Sequence, residues 1–269
     1  MVRDFSSLLK KREGEGKHIC VGLESVLNLD SATFPLIRDV ADSVSDLVCA
    51  FKINPALFFG RGDIGFEWLL SLVSHITSST DVPVILDIKC GDIDVMNDAW
   101  KTFAFDTVAA DAVTVNPWGG FDSLNCFFRD TPSKGVFIWC RSSASGHGGP
   151  QTFSTNMIHS VYERVLHTAF KRWGSYPGFG VVLGANDARA LALSRHIVGD
   201  KVPILVPGVG HQGGKISEVV PAIAGDDGRF IINVGRSIID LSRSHNLAEV
   251  VRQNVENLNH AVVHALAHC

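Results

Sequence analysis

Eight short apolar runs, each followed by a segment of helical spacing, constrain this chain more than any other feature. The runs are His18–Leu23, Leu47–Ile53, Val82–Ile88, Ala112–Asn116, Gly135–Cys140, Gly178–Leu183, Val202–Val206 and Phe230–Val234. Helical spacing is read over Ser31–Asp46, Phe66–Ser78, Asp94–Ala109, Phe121–Phe128, Thr155–Trp173, Ala185–His196, Ile216–Ala224 and Leu247–His268. Regular alternation of this kind implies βαβ units around a parallel sheet. A doubly wound open sheet competes with a barrel, but two features favour closure. The strand count is eight, and the charged and glycine-rich segments follow several strands instead of one switch point. The expected fold is therefore an α/β protein, a (β/α)8 TIM barrel, with Asp4 to Lys17 as an extra N-terminal helix. No Pro/Gly/Ser linker or charge run divides the chain, so residues 1–269 read as a single barrel domain.

Composition narrows the partners. With a net charge of −4 there is no basic footprint for nucleic acid, and no run of 18 apolar residues suggests a membrane span. The basic residues Arg3, Lys10, Lys11 and Arg12 are not followed by the apolar core of a signal peptide. Six scattered cysteines without a C-x-x-C pair predict reduced thiols and a cytoplasmic setting.

The stretch from Val82 to Ile93 is an apolar strand that ends in charge. Asp87 and Lys89 are two apart and share a face, and Asp92 follows just past Gly91. Buried charges are costly unless paired. Alone, Asp-x-Lys reads as an ion pair capping a strand. Lys52 lies inside the preceding apolar run, where it either snorkels to solvent or faces a carboxylate or ligand. From that adjacent strand it is within reach of Asp87, which extends the set to Lys, Asp, Lys, Asp.

Strand five runs into Arg141-Ser142-Ser143-Ala144-Ser145-Gly146, whose hydroxyls suit a heterocycle's carbonyl and imide edge, although serine-rich loops commonly make turns. Strand seven runs into Gly208-Val209-Gly210-His211-Gln212-Gly213-Gly214-Lys215. This segment spells G-x-G-x-x-G at the wrong end of the chain for a dinucleotide unit, and Ile216 after Lys215 excludes a P-loop. Barrel enzymes hold phosphate between the loops after strands seven and eight, and here those loops carry the glycines and Gly235-Arg236. His260, His264 and His268 read as a helix-surface stripe, and Trp68, Trp100 and Trp173 as packing residues.

Taken in order, several segments resemble the orotidine 5′-monophosphate decarboxylase family, in its branch with an L-D-x-K-x-G-D-I signature. They are Phe51-Lys52-Ile53-Asn54, Leu86-Asp87-Ile88-Lys89-Cys90-Gly91-Asp92-Ile93, Asp111-Ala112-Val113-Thr114-Val115-Asn116-Pro117, Cys140-Arg141-Ser142-Ser143, Pro207 through Gly214, and Gly235-Arg236. The resemblance implies decarboxylation of orotidine 5′-monophosphate (OMP) to uridine 5′-monophosphate (UMP), with neither metal nor organic cofactor. It implies a catalytic array of Lys52, Asp87, Lys89 and Asp92, with Lys89 stabilising and protonating C6 of the pyrimidine. It also implies a homodimer in which Asp92 and Ile93 enter the neighbouring subunit's site. Ser143 is expected to read the pyrimidine edge, Gln212 to bridge toward the phosphate, and Gly235 with Arg236 to bind it; Asn54 and Glu24 complete the substrate-binding set. The chain departs from the family pattern at Glu24, where relatives carry Asp, at Cys90, where they commonly carry Arg, and at Met96, where they commonly carry Thr. Two alternatives share the fold. One is a magnesium-dependent sugar-phosphate decarboxylase or aldolase with the same D-x-K-x-x-D spacing, and the other is a non-catalytic phosphate-binding barrel.

Overall fold

The computed structural model describes residues 3–23, 29–144, 149–154, 160–225, 228–239 and 246–269. Helix α1 (Phe5–Gly14) precedes β1 (Ile19–Gly22), α2 (Phe34–Val44), β2 (Ala50–Ile53), the single turn α3 (Ala56–Phe59), α4 (Gly62–Ser79), β3 (Val84–Cys90) and α5 (Asp94–Thr102). There follow β4 (Ala112–Val115), β5 (Gly135–Arg141), α6 (Val161–Trp173), β6 (Phe179–Leu183), α7 (Ala188–Val198), β7 (Ile204–Pro207), α8 (Ile216–Ala224), β8 (Phe230–Val234) and α9 (Leu247–Leu266). All eight expected strands form. They pair in parallel and in chain order, and β8 closes on β1 with Cys20 beside Asn233, so the sheet is a complete barrel.

The helices differ from expectation at their ends. Helix α4 begins at Gly62, ahead of Phe66, because burial of Leu69, Leu72, Val73 and Ile76 overrides the poor propensity of the glycines at its start. Helix α7 begins only at Ala188, where the Asp187 side chain accepts the N–H of Ala190 and caps it. The segment Asp122–Phe127 is 3-10 helix, and α5 passes into a π-helical turn over Phe103–Thr107. Thr155 to His159, at the start of the expected sixth helix, lie outside the described residues.

Because each strand is covered on both sides, its apolar residues divide between two cores. Val21, Phe51, Leu86, Val113, Ile138, Val181, Val206 and Ile232 face outward and pack beneath the helices. Cys20, Ala50, Ile85, Ala112, Phe137, Val182, Leu205 and Ile231 fill the interior. Helix α1 closes the bottom of that interior with Phe5 and Leu9. The Phe5 ring stands edge-on to Phe137 with centroids 5.7 Å apart, in space that exists because residue 135 is glycine: a Cβ there would lie 2.4 Å from the ring. Arg3 fastens the same end, donating to both oxygens of Asp111 and to the carbonyls of Thr77, Thr80 and Val82.

Strand side chains alternate faces, so the residue two positions further on from each interior residue also points inward. Those steps lead from Ala50 to Lys52, Ile85 to Asp87, Ala112 to Thr114, Phe137 to Trp139 and Ile231 to Asn233. The interior thus changes from apolar to polar within one pleat, at the C-terminal ends of the strands, which is where barrels of this class carry their chemistry. The three tryptophans pack as expected: Trp68 stacks on Phe34, Trp100 meets Phe103 edge-on and Trp173 stacks on Phe128. His260 and His264 are exposed on α9 and His268 just beyond its end, and among the described residues no group of three or more His, Cys, Asp or Glu side chains is assembled to hold a metal ion. No helix among those residues is long and apolar enough to cross a membrane.

Candidate active site

At the top of the interior, Lys52 Nζ donates to Asp87 Oδ2 at 2.9 Å and Lys89 Nζ to Asp87 Oδ1 at 2.6 Å. Thr114 Oγ1 donates to the same Oδ1 at 2.7 Å. Burial works to raise the Asp87 carboxyl, but the charges and hydrogen bonds of Lys52 and Lys89 outweigh it and hold the group well below the usual carboxylate range. The carboxylate is therefore ionised at neutral pH, and the pair of ammonium groups leaves the cluster with one net positive charge. The indole of Trp139 lies beneath Lys89, with Nζ 5.8 Å from the ring centroid, a cation–π contact that adds to the pairing with Asp87.

A break in the β3–β4 ladder sets this arrangement. Leu86 is in register with Val113 and Cys90 with Val115, so Asp87, Ile88 and Lys89 stand opposite Thr114 alone. Lys89 adopts a left-handed backbone with φ of 47°, a conformation that costs a non-glycine residue roughly 1–2 kcal/mol. Its displaced N–H donates to Thr114 Oγ1 at 3.1 Å. Asp87 and Lys89 both face the interior, as their spacing of two dictates; the bulge gathers them opposite the single residue Thr114, and Cys90 lies in the outer core. Burial there pushes the Cys90 thiol up to about 12, so this departure from the family pattern places a neutral packing residue at that position.

The array forms one wall of a cavity of about 210 Å³ whose other walls come from strands five to eight. Ser142 and Ser143 follow β5, His211 and Gln212 follow β7, Asn233 lies near the end of β8 and Gly235, Arg236 and Ser237 follow it; Val182, Leu205, Pro207 and Trp139 supply apolar surface. Gly208 brings two of these loops together. With φ of 102°, it sits where an added Cβ would lie 2.9 Å from both Gln212 Oε1 and Ser143 Cβ, so only glycine lets those side chains meet across it. The β7 loop then closes on itself, with Gly214 N–H donating to Gly208 O and Gly210 N–H to Gly214 O. After β8, the N–H groups of Ile238 and Ile239 both turn back onto Gly235 O.

Of the residues singled out in the sequence, Lys52, Asp87, Lys89, Ser143, Gln212, Gly235 and Arg236 thus surround one cavity. Asn54 lies outside its lining; its side chain accepts the N–H of Ala56, the first residue of α3. Asp92 and Ile93 also lie outside it, exposed at the start of α5, where the buried Asn97 side chain accepts the N–H of Asp92 and donates to its carbonyl. Around them Ile93 is 65% exposed, Val95 67%, Met96 45% and Trp118 76%, an uncovered apolar face adjoining the end of β3. Glu24 lies outside the described residues. Sequence reasoning did not single out Thr114, Trp139, His211 or Asn233 as site residues. The signal for three of them was the inward step of two from Ala112, Phe137 and Ile231.

A closed parallel barrel with a lysine–aspartate–lysine array facing glycine-rich loops and an arginine across a small polar cavity defines a (β/α)8-barrel enzyme built for a small anionic ligand. Comparison with known proteins narrows the class. Residues 24–252 match the model of the orotidine 5′-phosphate decarboxylase / HUMPS family. The chain is 38% identical over 271 residues to the orotidine 5′-phosphate decarboxylase of Roseiflexus castenholzii, covering 97% of this chain and 98% of that one. It is 36% identical over 244 residues to the enzyme of the same name from Cupriavidus metallidurans, covering 87% and 88%. Among solved structures, Leishmania donovani OMP decarboxylase superimposes with a TM-score of 0.83 at 29% identity, covering 97% of this chain and 99% of that chain. The chain belongs to the orotidine 5′-phosphate decarboxylase / HUMPS family.

Proposed function

We infer that the chain is an orotidine 5′-monophosphate decarboxylase, a carboxy-lyase that converts OMP to UMP in pyrimidine synthesis. The observation that carries this reading is the placement of the Lys52–Asp87–Lys89 array in the same cavity as Ser143, Gln212 and Arg236. One end of that cavity offers cation beside carboxylate, and the other offers a guanidinium among glycine loops.

In the reaction the bond from C6 of the pyrimidine to its carboxylate breaks, carbon dioxide leaves, and the electron pair remains on C6. A fixed ammonium beside C6 stabilises that charge more than it stabilises the substrate, so it lowers the barrier. Lys89 supplies this ammonium and then its proton, which forms the C6–H bond of UMP and leaves a neutral amine to be reprotonated from solvent. Asp87 aims Lys89, and Lys52 balances the remaining oxygen of Asp87. Ser143 reads the pyrimidine edge, Gln212 bridges toward the phosphate, and Arg236 with the Gly235 backbone clamps it. Glu24 and Asn54 are assigned to the substrate as well. The ligand's phosphate is remote from C6, and its binding energy goes into alignment of the base. The reaction assigned here uses no metal or organic cofactor.

A homodimer completes the site in this reading. The exposed apolar face of Ile93, Val95, Met96 and Trp118 supports burial against a second copy, and the exposed Asp92 carboxylate beside it suits a partner's cavity. With the partner subunit's Asp92 added, two ammonium groups face two carboxylates and the array becomes neutral. Residues 1–269 are assigned to one barrel domain. The free cysteines, five of them buried, support a reducing, cytoplasmic setting.

Mixing the protein with OMP and following ultraviolet absorbance tests the assignment. The expected result is loss of the orotidylate band with stoichiometric UMP and carbon dioxide, undiminished by chelator. No turnover of OMP, or sugar-phosphate turnover abolished by chelator, would sink it.

A further inference from the structure

Asp87 accepts hydrogen bonds from the two lysines and a third from Thr114 Oγ1. The same threonine oxygen accepts the main-chain N–H of Lys89 at 3.1 Å. An ionised carboxylate has no proton to give, so the single hydroxyl hydrogen is committed to Asp87 and the oxygen's lone pairs face Lys89 N–H. A closed ring results. It runs from the Lys89 backbone to the Thr114 hydroxyl, on to the Asp87 carboxylate, and back through the Lys89 ammonium at 2.6 Å. Thr114 is fully buried in β4 beside Phe137 of β5 and is not among the residues lining the cavity, so it acts on a ligand only through Asp87 and Lys89.

We propose that Thr114 is the positioning residue of this site, holding Lys89 in the left-handed backbone conformation that turns its ammonium onto Asp87 and toward the reacting carbon. The proposal rests on the reading of Lys89 as the group that protonates C6. Two features point to the hydroxyl itself. Lys89 is not glycine, so its φ of 47° persists only where surrounding contacts over-determine it. In addition, the register shift between Leu86 and Cys90 delivers its N–H to the Thr114 side chain. Valine in that place keeps the branched shape but leaves the N–H without an acceptor and Asp87 one donor short. The bulge then relaxes and the ammonium leaves its place.

The test compares Thr114→Val, Thr114→Ala and Thr114→Ser with the wild type, by kcat and KM on OMP, by affinity for UMP, and by crystal structure. In the Val and Ala variants kcat is expected to fall about 100-fold, since displacement of a reacting group by 1 Å costs that much. KM and UMP affinity stay within about threefold, and Ser restores kcat to within about threefold of the wild type, a pattern that marks a loss confined to the transition state. Wild-type kcat in Val or Ala overturns the proposal. So does a Ser variant as slow as Ala, or UMP binding that falls as far as kcat. If Val does not fold, Ala and Ser carry the comparison. A wild type that leaves OMP unchanged overturns the functional reading instead, and the crystal structure of Thr114→Ala then decides the role of Thr114: Lys89 gone from the left-handed region supports it, Lys89 unmoved overturns it.

Discussion

Lys52 and Lys89 divide one carboxylate between them, the first 2.9 Å from Asp87 Oδ2 and the second 2.6 Å from Oδ1. The two are not equivalent. The Lys52 side chain is 5% exposed and that of Lys89 31%, so Lys89 presents the ammonium to a ligand while Lys52 backs the carboxylate. Lys89→Ala is therefore expected to lower kcat by about 100- to 1,000-fold, the loss typical of removing a charge-stabilising donor. UMP affinity should change by less than about tenfold, because the phosphate contacts are untouched. Single-turnover kinetics and UMP titration separate the two effects, and near-normal rates would show that another group delivers the proton.

Arg236 lines the same cavity, just after β8. A guanidinium paired with phosphate contributes about 1.5–3 kcal/mol. Arg236→Ala should thus weaken UMP by roughly ten- to a hundredfold. Binding of uridine, which lacks the phosphate, should stay within about twofold, because a lost contact affects only ligands that made it. Equal losses for nucleotide and nucleoside in a calorimetric titration would remove Arg236 from the phosphate site.

The unusually strong acidity of Asp87 makes a prediction about stability. Its folded carboxyl titrates below the ordinary carboxylate range, while in the unfolded chain it titrates near 3.9. Between those limits the unfolded state binds more protons, so stability falls as pH falls. Above the unfolded value the contribution is complete and does not vary. The difference in Tm between wild type and Asp87→Asn should accordingly stay level from about pH 8 to pH 5 and shrink only below about pH 4. Thermal melts across that range check it, and a difference that erodes near pH 6 would contradict the two-lysine environment.

The eight strands were readable because a strand covered on both faces is apolar throughout, and the interruption of such runs by Lys52, Asp87 and Lys89 marked the site. That same uniformity hid the direction of each side chain. In Ala50-Phe51-Lys52 or Phe137-Ile138-Trp139, hydropathy does not separate inside from outside, so Trp139 and Asn233 entered the cavity unannounced. The bulge at Lys89 left even less trace. Left-handed backbone is usually marked by glycine or asparagine, and here the glycine comes two residues late, at Gly91, so Thr114 acquired its contacts from tertiary pairing that no local pattern encodes. Asp92 is a different case. Its neighbours Ile93, Val95 and Met96 read as the apolar residues of an ordinary amphipathic helix and its start, and only the three-dimensional structure showed that they are uncovered.

That uncovered face leads to a sharp experiment on assembly. If the partner subunit's Asp92 serves each cavity, a site needs Lys89 from one chain and Asp92 from the other. Lys89→Ala and Asp92→Asn homodimers should then both be nearly inactive. When the two variants are mixed and allowed to exchange subunits, half of the dimers are mixed. In each mixed dimer one site combines an intact Lys89 with an intact Asp92, while the other site lacks both. Activity should return to about a quarter of the wild-type value per chain, as the two-fold symmetry of a shared site requires. A Val95→Asp variant places a charge in the apolar face and should leave monomers on light scattering with turnover lost in parallel. If the mixture stays inactive although subunits have exchanged, Asp92 works within its own chain, and if the Asp92→Asn homodimer is itself fully active, the carboxylate exposed at the start of α5 has no share in the neighbouring site.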